Sequence, residues 1–361
     1  MAARVVTAKQ TAKTTSTRKA PVKKVVVRKS ASSFVKAPMV AGTTINAYIP
    51  DPAVSKQYIG RKVLGGIWDL VMLDTAKDNH ENVLLAGDTG SGKTLLGEAY
   101  ASKNSLMYYS LPCDVSIDPS SLFGKMTVTD VVGKYEWQDG PVTQIVRHGG
   151  VLNISEVNMM PPRIAAALYS LLDHRRYLAL LGHKGEVVRA HIGTKAKDKN
   201  GQAEVCWCGE SCDEKVLLII ADMNPNYRGT MELNAAFKNR WAHKIPFGYS
   251  DEVESQLLQF PTLREIAKKC RALSGIEIMT PVSTNLLMEF EQFARRESLG
   301  LDYAIANFVA AFATDEQQPI QKVMDLHTPN LIEDLNFVSG KKATATDDEL
   351  EEIDFDFVME D

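Results

Sequence analysis

Short runs of apolar residues alternate along the first two thirds of the chain with longer stretches in which apolar positions recur every three or four residues. The helical spacing covers 58–73 and 164–172. The short runs are typical of buried strands and lie at 83–86, 106–111, 151–154 and 216–220. Strands that alternate with helices indicate a mostly parallel sheet with helices on both faces. The pattern therefore predicts an α/β domain over about 46–250.

The pattern changes after Tyr249, where only helical spacing continues. Residues 251–326 are predicted to form a small helical domain. Beyond it the density of apolar residues falls, and 327–361 is expected to be a disordered acidic tail. The segment 1–45 carries few large apolar side chains and is expected to be disordered too, because it cannot offset the entropy of ordering.

Charge and composition narrow the class of protein. The 361 residues carry a formal net charge of −4, yet all ten charged residues of 1–36 are basic and all nine of 343–361 are acidic. No apolar run approaches the roughly 18 residues that span a membrane, and the N-terminus has no apolar core of the secretory type. Five cysteines make no disulfide framework. A cytoplasmic protein is expected.

A phosphate-binding pattern follows the first predicted strand directly. Residues 87–94 satisfy G-x-x-x-x-G-K-[ST] at the point where a strand leads into a helix, as the mechanism requires. Backbone N–H groups and the helix N-terminus would hold phosphate oxygens, Lys93 would reach the β- and γ-phosphates, and Thr94 would ligate Mg²⁺. The predicted nucleotide-binding residues are Gly87, Asp88, Thr89, Gly90, Ser91, Gly92, Lys93, Thr94 and Leu95.

A second candidate lies about sixty residues later, at the end of the strand predicted over 151–154. Glu156 follows Ser155 at this strand end, which is where α/β sheets carry their reactive groups. A glutamate here would orient the water that attacks the γ-phosphate. The alternative is that Glu156 only pairs with a neighbouring cation.

The order of these motifs resembles one branch of the AAA+ ATPases, the MoxR-like and dynein-related branch that includes the CbbQ/NorQ activators, GvpN and CobS. The resemblance covers about 55–315 and is carried by 133–141, 149–158, 161–173, 221–230 and 233–241. It implies a P-loop NTPase core with a helical lid, ATP and Mg²⁺ as cofactors, and a hexameric ring in a prokaryotic or phage-infected cell. It also implies that Asn224 positions the attacking water together with Glu156, and that Arg240 reaches the ATP of the adjacent subunit.

Two positions depart from the pattern of that branch. Ser155 stands where the branch has an aspartate that holds the Mg²⁺ shell. The predicted metal residues are therefore Thr94 and Ser155. Because serine lacks the negative charge of aspartate, Mg²⁺ binding is expected to be weak. Asn285 stands where the branch has a second sensor arginine, unless Arg295 or Arg296 substitutes for it. Both departures predict slow hydrolysis.

The resemblance implies a chaperone-like ATPase that remodels or activates a protein client. It also implies that this client has a von Willebrand factor A domain. Two alternatives stay open. Residues 1–36 could bind nucleic acid without sequence specificity, which would suit a DNA-associated motor or loader. The chain could also be a scaffold that binds ATP and hydrolyses little of it.

Three thiols lie close together at Cys206, Cys208 and Cys212, with His183 and His191 upstream. Such a group could hold zinc. The C-x-C-x₃-C spacing is not one of the common zinc pairings, so a loop with incidental thiols is the preferred interpretation.

Overall fold

A computed structural model of the chain describes residues 48–114, 116–129, 133–190, 216–225, 233–273 and 278–344. The basic segment 1–36, the thiols of Cys206, Cys208 and Cys212, and the acidic segment 345–361 lie outside the described residues. Within the described ranges, every helix is too short or too polar to cross a membrane.

Nine strands and twelve α-helices are assigned within the described residues. The strands are β1 (Val83–Ala86), β2 (Tyr108–Pro112), β3 (Gly124–Val128), β4 (Tyr135–Asp139), β5 (Gly150–Ser155), β6 (Tyr177–Leu180), β7 (Glu186–Arg189), β8 (Leu217–Met223) and β9 (His243–Pro246). The helices are α1 (Pro52–Gln57), α2 (Asp69–Asp78), α3 (Lys93–Asn104), α4 (Pro119–Phe123), α5 (Pro141–His148), α6 (Pro162–Leu172), α7 (Ala235–Lys238), α8 (Asp251–Leu257), α9 (Pro261–Ala272), α10 (Thr284–Ala294), α11 (Gly300–Ala310) and α12 (Gln317–Thr344).

A five-stranded parallel sheet in the order β2-β5-β8-β1-β9 forms the centre of the α/β part, which confirms the predicted fold class. The register sets Ile154 of β5 beside Ala221 of β8, and Asp222 of β8 beside Leu85 of β1. Because the strands are parallel, their carboxyl ends meet at one edge of the sheet. The loops that carry the sequence motifs therefore come together there.

Helices cover both faces of this sheet, as continuous apolar strands require. One face packs against α5 and α6, with Ile145 and Leu168 fully buried. The other packs against α2 and α3, with Leu73 and Leu96 fully buried. Two small antiparallel pairs, β3-β4 and β6-β7, complete this part of the chain.

The helix predicted over 58–73 begins later than expected. A 3₁₀ turn at Leu64–Gly66 precedes α2, which starts only at Asp69. Gly65 and Gly66 have φ values of 73° and 76°, in the left-handed region that interrupts an α-helix. The apolar spacing before Asp69 belongs to a turn, with Leu64 and Ile67 at least half exposed.

The helices α8 to α12 have an apolar core of their own, formed around Phe260, Phe290 and Phe308. The predicted end of this domain at residue 326 is wrong. The helix α12 runs on to Thr344, because Leu331 and Val338 pack into the same core. The segment 327–344 thus belongs to the helical part and not to a disordered tail.

A buried ion pair joins the first helices of this part. Glu254 in α8 is 1% exposed, and its carboxylate accepts two hydrogen bonds from the Arg271 guanidinium, at 2.9 and 2.7 Å. It also accepts one from the Thr284 hydroxyl at 2.7 Å, at the start of α10. Burying a carboxylate is costly unless it is paired and hydrogen-bonded, and here the two helices α9 and α10 supply the partners.

We expect Glu254→Gln to lower the free energy of unfolding by about 2 kcal/mol, because Arg271 would lose its ionic partner in a largely buried site. Urea unfolding measures the effect. Glu252→Gln, at an exposed position of the same helix, is the matched control and should unfold like the wild type. Equal midpoints for the two variants would contradict this role of Glu254.

Candidate functional site

The loop between β1 and α3 has the backbone that its glycines allow. Gly90 and Gly92 have φ values of 71° and 90°, which side chains rarely tolerate. A Cβ atom on Gly87 would lie 2.0 Å from the carbonyl oxygen of Phe247, so only glycine fits there. The helix α3 starts directly after this loop, at Lys93. The loop thus has the backbone that the predicted phosphate cradle, a P-loop, requires.

Lys93 is only 6% exposed, and its ammonium donates hydrogen bonds to the carbonyl oxygens of Gly87 at 2.8 Å and Asp88 at 2.7 Å. Burial lowers the pKa of Lys93, and the negative charges of Asp222 and Glu156 oppose this change. The buried Ser91 hydroxyl has no hydrogen-bond partner among the described residues. A buried cation, a free hydroxyl and a glycine cradle suit a phosphate-bearing ligand.

Glu156 and Asn224 lie at the same edge of the sheet, after β5 and β8. Asn224 donates a 2.9 Å hydrogen bond to the hydroxyl of Thr89 in the P-loop. Glu156 has a left-handed backbone, with φ 56°. Burial, and then the charge of Asp222, raise the pKa of Glu156, while Lys93 lowers it. The structure brings both predicted residues to the P-loop.

Asp222, two residues before Asn224, is a member of this site that the sequence analysis missed. It is 2% exposed, and its carboxylate accepts hydrogen bonds from the Thr94 hydroxyl at 3.4 Å and from the Asn153 side chain at 3.3 Å. The backbone N–H of Glu156 donates to it as well, at 3.3 Å. One signal was present in the sequence, since a lone acid stands near the end of an otherwise apolar strand and a buried acid needs partners.

Ser155 shares one hydrogen-bond donor, Asn153, with Asp222. Its hydroxyl accepts a 2.9 Å hydrogen bond from Asn153 and lies 3.4 Å from the hydroxyl of Ser110. Thr94, the other predicted metal residue, binds Asp222. Within the described residues, no three His, Cys, Asp or Glu side chains form a group that could hold a metal ion by themselves. A site here would have to combine few protein oxygens with those of a nucleotide.

Arg240 lies near the opposite edge of the sheet. Its carbonyl oxygen accepts a 2.8 Å hydrogen bond from Asn82, the residue before β1, whereas the P-loop follows the other end of that strand. The Arg240 guanidinium stacks over the Tyr169 ring at 4.1 Å and donates to the Ala236 carbonyl at 2.6 Å. The length of β1, roughly 13 Å, separates the two ends. Arg240 therefore does not belong to the P-loop site of its own chain.

The helical part contacts the P-loop through the start of α10. A Cβ atom on Gly90 would lie 2.7 Å from the Cβ of Ser283, the residue that caps α10. Asn285 is exposed in the first turn of this helix. Arg295 and Arg296 follow the other end of α10, roughly 15 Å away along its axis. Neither arginine therefore lies at the P-loop contact of this helix.

The two arginines after α10 have partners of their own. Arg295 lies 3.4 Å from the Glu291 carboxylate. The Arg296 guanidinium stacks over the Phe293 ring at 5.4 Å. Neither takes the position of the missing second sensor arginine in this conformation.

Arg61 is a second residue that the sequence analysis missed. It is 9% exposed, and its guanidinium donates to the carbonyl oxygens of Ser91 at 2.6 Å and Gly248 at 2.7 Å. The same group stacks over the Phe247 ring at 4.1 Å. Arg61 thus ties the P-loop to the segment that follows β9. No local motif marks it, because the contact joins segments 30 and 187 residues apart.

Residues 82–241 match the family described as AAA domain, dynein-related subfamily. The match includes the P-loop, the ends of β5 and β8, and Arg240. Over these residues the α/β part of this chain is therefore similar in sequence to AAA domains of the dynein-related subfamily.

An uncharacterised protein of Staphylococcus epidermidis is 34% identical over 165 residues, 45% of this chain and 54% of that protein. The uncharacterised protein YojN of Bacillus subtilis is 31% identical over 212 residues, 58% of this chain and 60% of that protein. The chain spans about half the length of the curated relatives it matches. Among solved structures, NtrX from Brucella abortus in complex with ADP is 15% identical, with a TM-score of 0.40, covering 80% of this chain and 68% of that one.

We expect Arg61→Ala to weaken ATP binding by roughly tenfold, because the P-loop would no longer be held in its binding conformation before the ligand arrives. Isothermal titration with ATP measures the affinity. Lys62→Ala removes the neighbouring, exposed cation and is the control, for which we expect wild-type affinity. An Arg61→Ala protein that binds ATP as tightly as the control would show that Arg61 does not organise the loop.

Proposed function

We propose that this chain is a Mg²⁺-dependent ATPase that acts in a ring of identical subunits. One observation carries the proposal: the P-loop, Glu156 and Asn224 meet at one edge of the sheet, with Asn224 hydrogen-bonded to Thr89. The match to the AAA domain supports nucleotide binding. The two departures at Ser155 and Asn285 predict that turnover is slow.

Each residue at this edge has a role that follows from its chemistry. Lys93 neutralises phosphate charge, and the backbone N–H groups of the P-loop hold phosphate oxygens. Glu156 orients the attacking water and accepts its proton, a role that the raised pKa favours because a carboxylate with higher proton affinity is a stronger base. Asn224 fixes the position of this water. Mg²⁺ would supply charge neutralisation at the phosphates when bound.

Arg240 acts in this proposal on the nucleotide of an adjacent subunit. Its location near the amino end of β1 supports this, since it is far from the P-loop of its own chain. A guanidinium suits the charge that spreads over the equatorial oxygens of the transferred phosphoryl group. AAA proteins commonly assemble into oligomers, and the family resemblance implies a hexamer. In a closed ring, the nucleotide site of every subunit receives an arginine from the neighbouring subunit.

ATP hydrolysis is proposed to drive the remodelling or activation of a protein client, as in MoxR-like chaperones. The exposed apolar side chains of the β3-β4 hairpin, Met126, Val128 and Tyr135, support a protein client, since they could grip a chain. A client with a von Willebrand factor A domain follows from the family resemblance alone. The alternative of a slow scaffold is supported by Asn285, which leaves the γ-phosphate without a lid arginine.

We expect Glu156→Gln to reduce phosphate release to background while ATP binding is kept, because the amide can neither accept the proton nor carry the charge. A phosphate-release assay with Mg²⁺ and a parallel ATP titration separate the two effects. Glu136→Gln, an exposed acid on β4, is the control. If wild type and Glu156→Gln release phosphate at the same background rate, the chain is an ATP-binding scaffold.

The position of Arg240 predicts a complementation. Arg240→Ala and Glu156→Gln should each be inactive alone, whereas a mixed ring contains sites with an intact Glu156 and an intact neighbouring arginine. Phosphate release from subunits mixed before assembly should therefore exceed that of either variant alone. Mixtures no more active than the separate variants would contradict action between subunits.

A further inference from the structure

The acid that is absent at position 155 has a counterpart on the next strand. Ile154 lies beside Ala221, so Ser155 and Asp222 follow side by side at the ends of β5 and β8. Asp222 is one strand closer to β1, where it pairs with Leu85. Neighbouring strands are about 4.8 Å apart. A carboxylate at position 222 is therefore one strand spacing closer to the P-loop than a carboxylate at position 155 would be.

The Asn153 side chain connects the two positions. Its amide nitrogen donates to the Ser155 hydroxyl at 2.9 Å and to the Asp222 carboxylate at 3.3 Å. A second carboxylate at position 155 would add a negative charge beside Asp222, and like charges this close cannot both stay ionised without cost. An uncharged serine at position 155 avoids this repulsion with the Asp222 carboxylate.

The Asp222 carboxylate also contacts the hydroxyl of Thr94, the predicted metal residue of the P-loop. A hydroxyl and a carboxylate are hard oxygen donors, and Mg²⁺ in nucleotide sites is held by one or two carboxylates together with phosphate oxygens and water. The donor set formed by Thr94 and Asp222 fits this ion. The Ser155 hydroxyl brings no charge to it.

We propose that Asp222, and not residue 155, is the acid that binds the Mg²⁺ shell of the nucleotide, so that the metal-holding acid of this site has moved from β5 to β8. The proposal rests on the proposed function, since it needs a nucleotide in the P-loop. It removes one reason to expect weak Mg²⁺ binding, because the charge missing at Ser155 is present one strand away.

The competing role for Asp222 is structural. Its carboxylate also accepts the backbone N–H of Glu156 and so helps to set the backbone of that residue. A structural acid would matter for ATP binding with and without metal, whereas a metal-shell acid matters only with metal. In the absence of metal, removal of its negative charge should not weaken binding of the anionic nucleotide.

The experiment compares ATP affinity in Mg²⁺ and in EDTA for four proteins: wild type, Asp222→Asn, Ser155→Ala, and the double variant Ser155→Asp with Asp222→Asn. Titration calorimetry gives the affinities. The electron paramagnetic resonance of Mn²⁺ in the presence of ADP reports the metal directly, independently of hydrolysis.

We expect the wild type and Ser155→Ala to bind ATP more tightly in Mg²⁺ than in EDTA. Asp222→Asn should bind ATP roughly tenfold more weakly in Mg²⁺, and should bind Mn²⁺ roughly tenfold more weakly in the presence of ADP. Its ATP affinity in EDTA should not fall, because a metal-bound carboxylate acts only through the ion. The double variant, with the acid returned to β5, should recover part of the preference for Mg²⁺.

The proposal is overturned if Asp222→Asn keeps the wild-type preference for Mg²⁺, if Ser155→Ala loses it, or if the double variant shows no recovery. It is also overturned if Asp222→Asn weakens binding equally in EDTA, which would assign Asp222 a structural role. A wild type that binds no ATP under either condition would instead refute the proposed function. The two failures are thus distinguishable.

Discussion

The parallel register of β5, β8 and β1 is the constraint on which the candidate site depends. It sets Ile154 beside Ala221 and Asp222 beside Leu85, so that the ends of three strands lie at one edge of the sheet. A slip of one residue would turn every side chain of a strand to the other face. Asp222 would then leave Thr94, and the site would lose its buried carboxylate.

The register also explains how charged groups persist at a buried edge. Asp222 is almost fully buried, yet it accepts hydrogen bonds from Thr94, Asn153 and the backbone of Glu156. Lys93 balances the acids with a positive charge, and the P-loop carbonyl oxygens accept hydrogen bonds from its ammonium group. Each buried charged group is tolerated because the others are present. Binding of an anionic ligand or a cation would therefore change the balance of charges at this edge.

The helical part is connected to this edge through a chain of contacts. The buried pair of Glu254 and Arg271 holds α8, α9 and the start of α10 together, and the Arg271 guanidinium stacks over the Tyr249 ring at 3.8 Å. Tyr249 donates a 2.7 Å hydrogen bond to the Thr89 carbonyl in the P-loop, and Thr89 also binds Asn224. Movement of the helical part relative to the sheet would therefore displace Thr89 and Asn224.

The sequence by itself determined the α/β class, the P-loop and the strand end at Glu156, because each is encoded in contiguous residues: apolar runs, glycines and a lysine at fixed spacing. Only the tertiary structure decided which acid meets Thr94, since Asp222 depends on strand register, and which cation supports the P-loop, since Arg61 reaches it from a distant segment. The length of α12 was decided in the same way, by packing of Leu331 and Val338 that no local pattern reveals. Contacts between remote segments leave no periodic signal in the chain, whereas local backbone demands do.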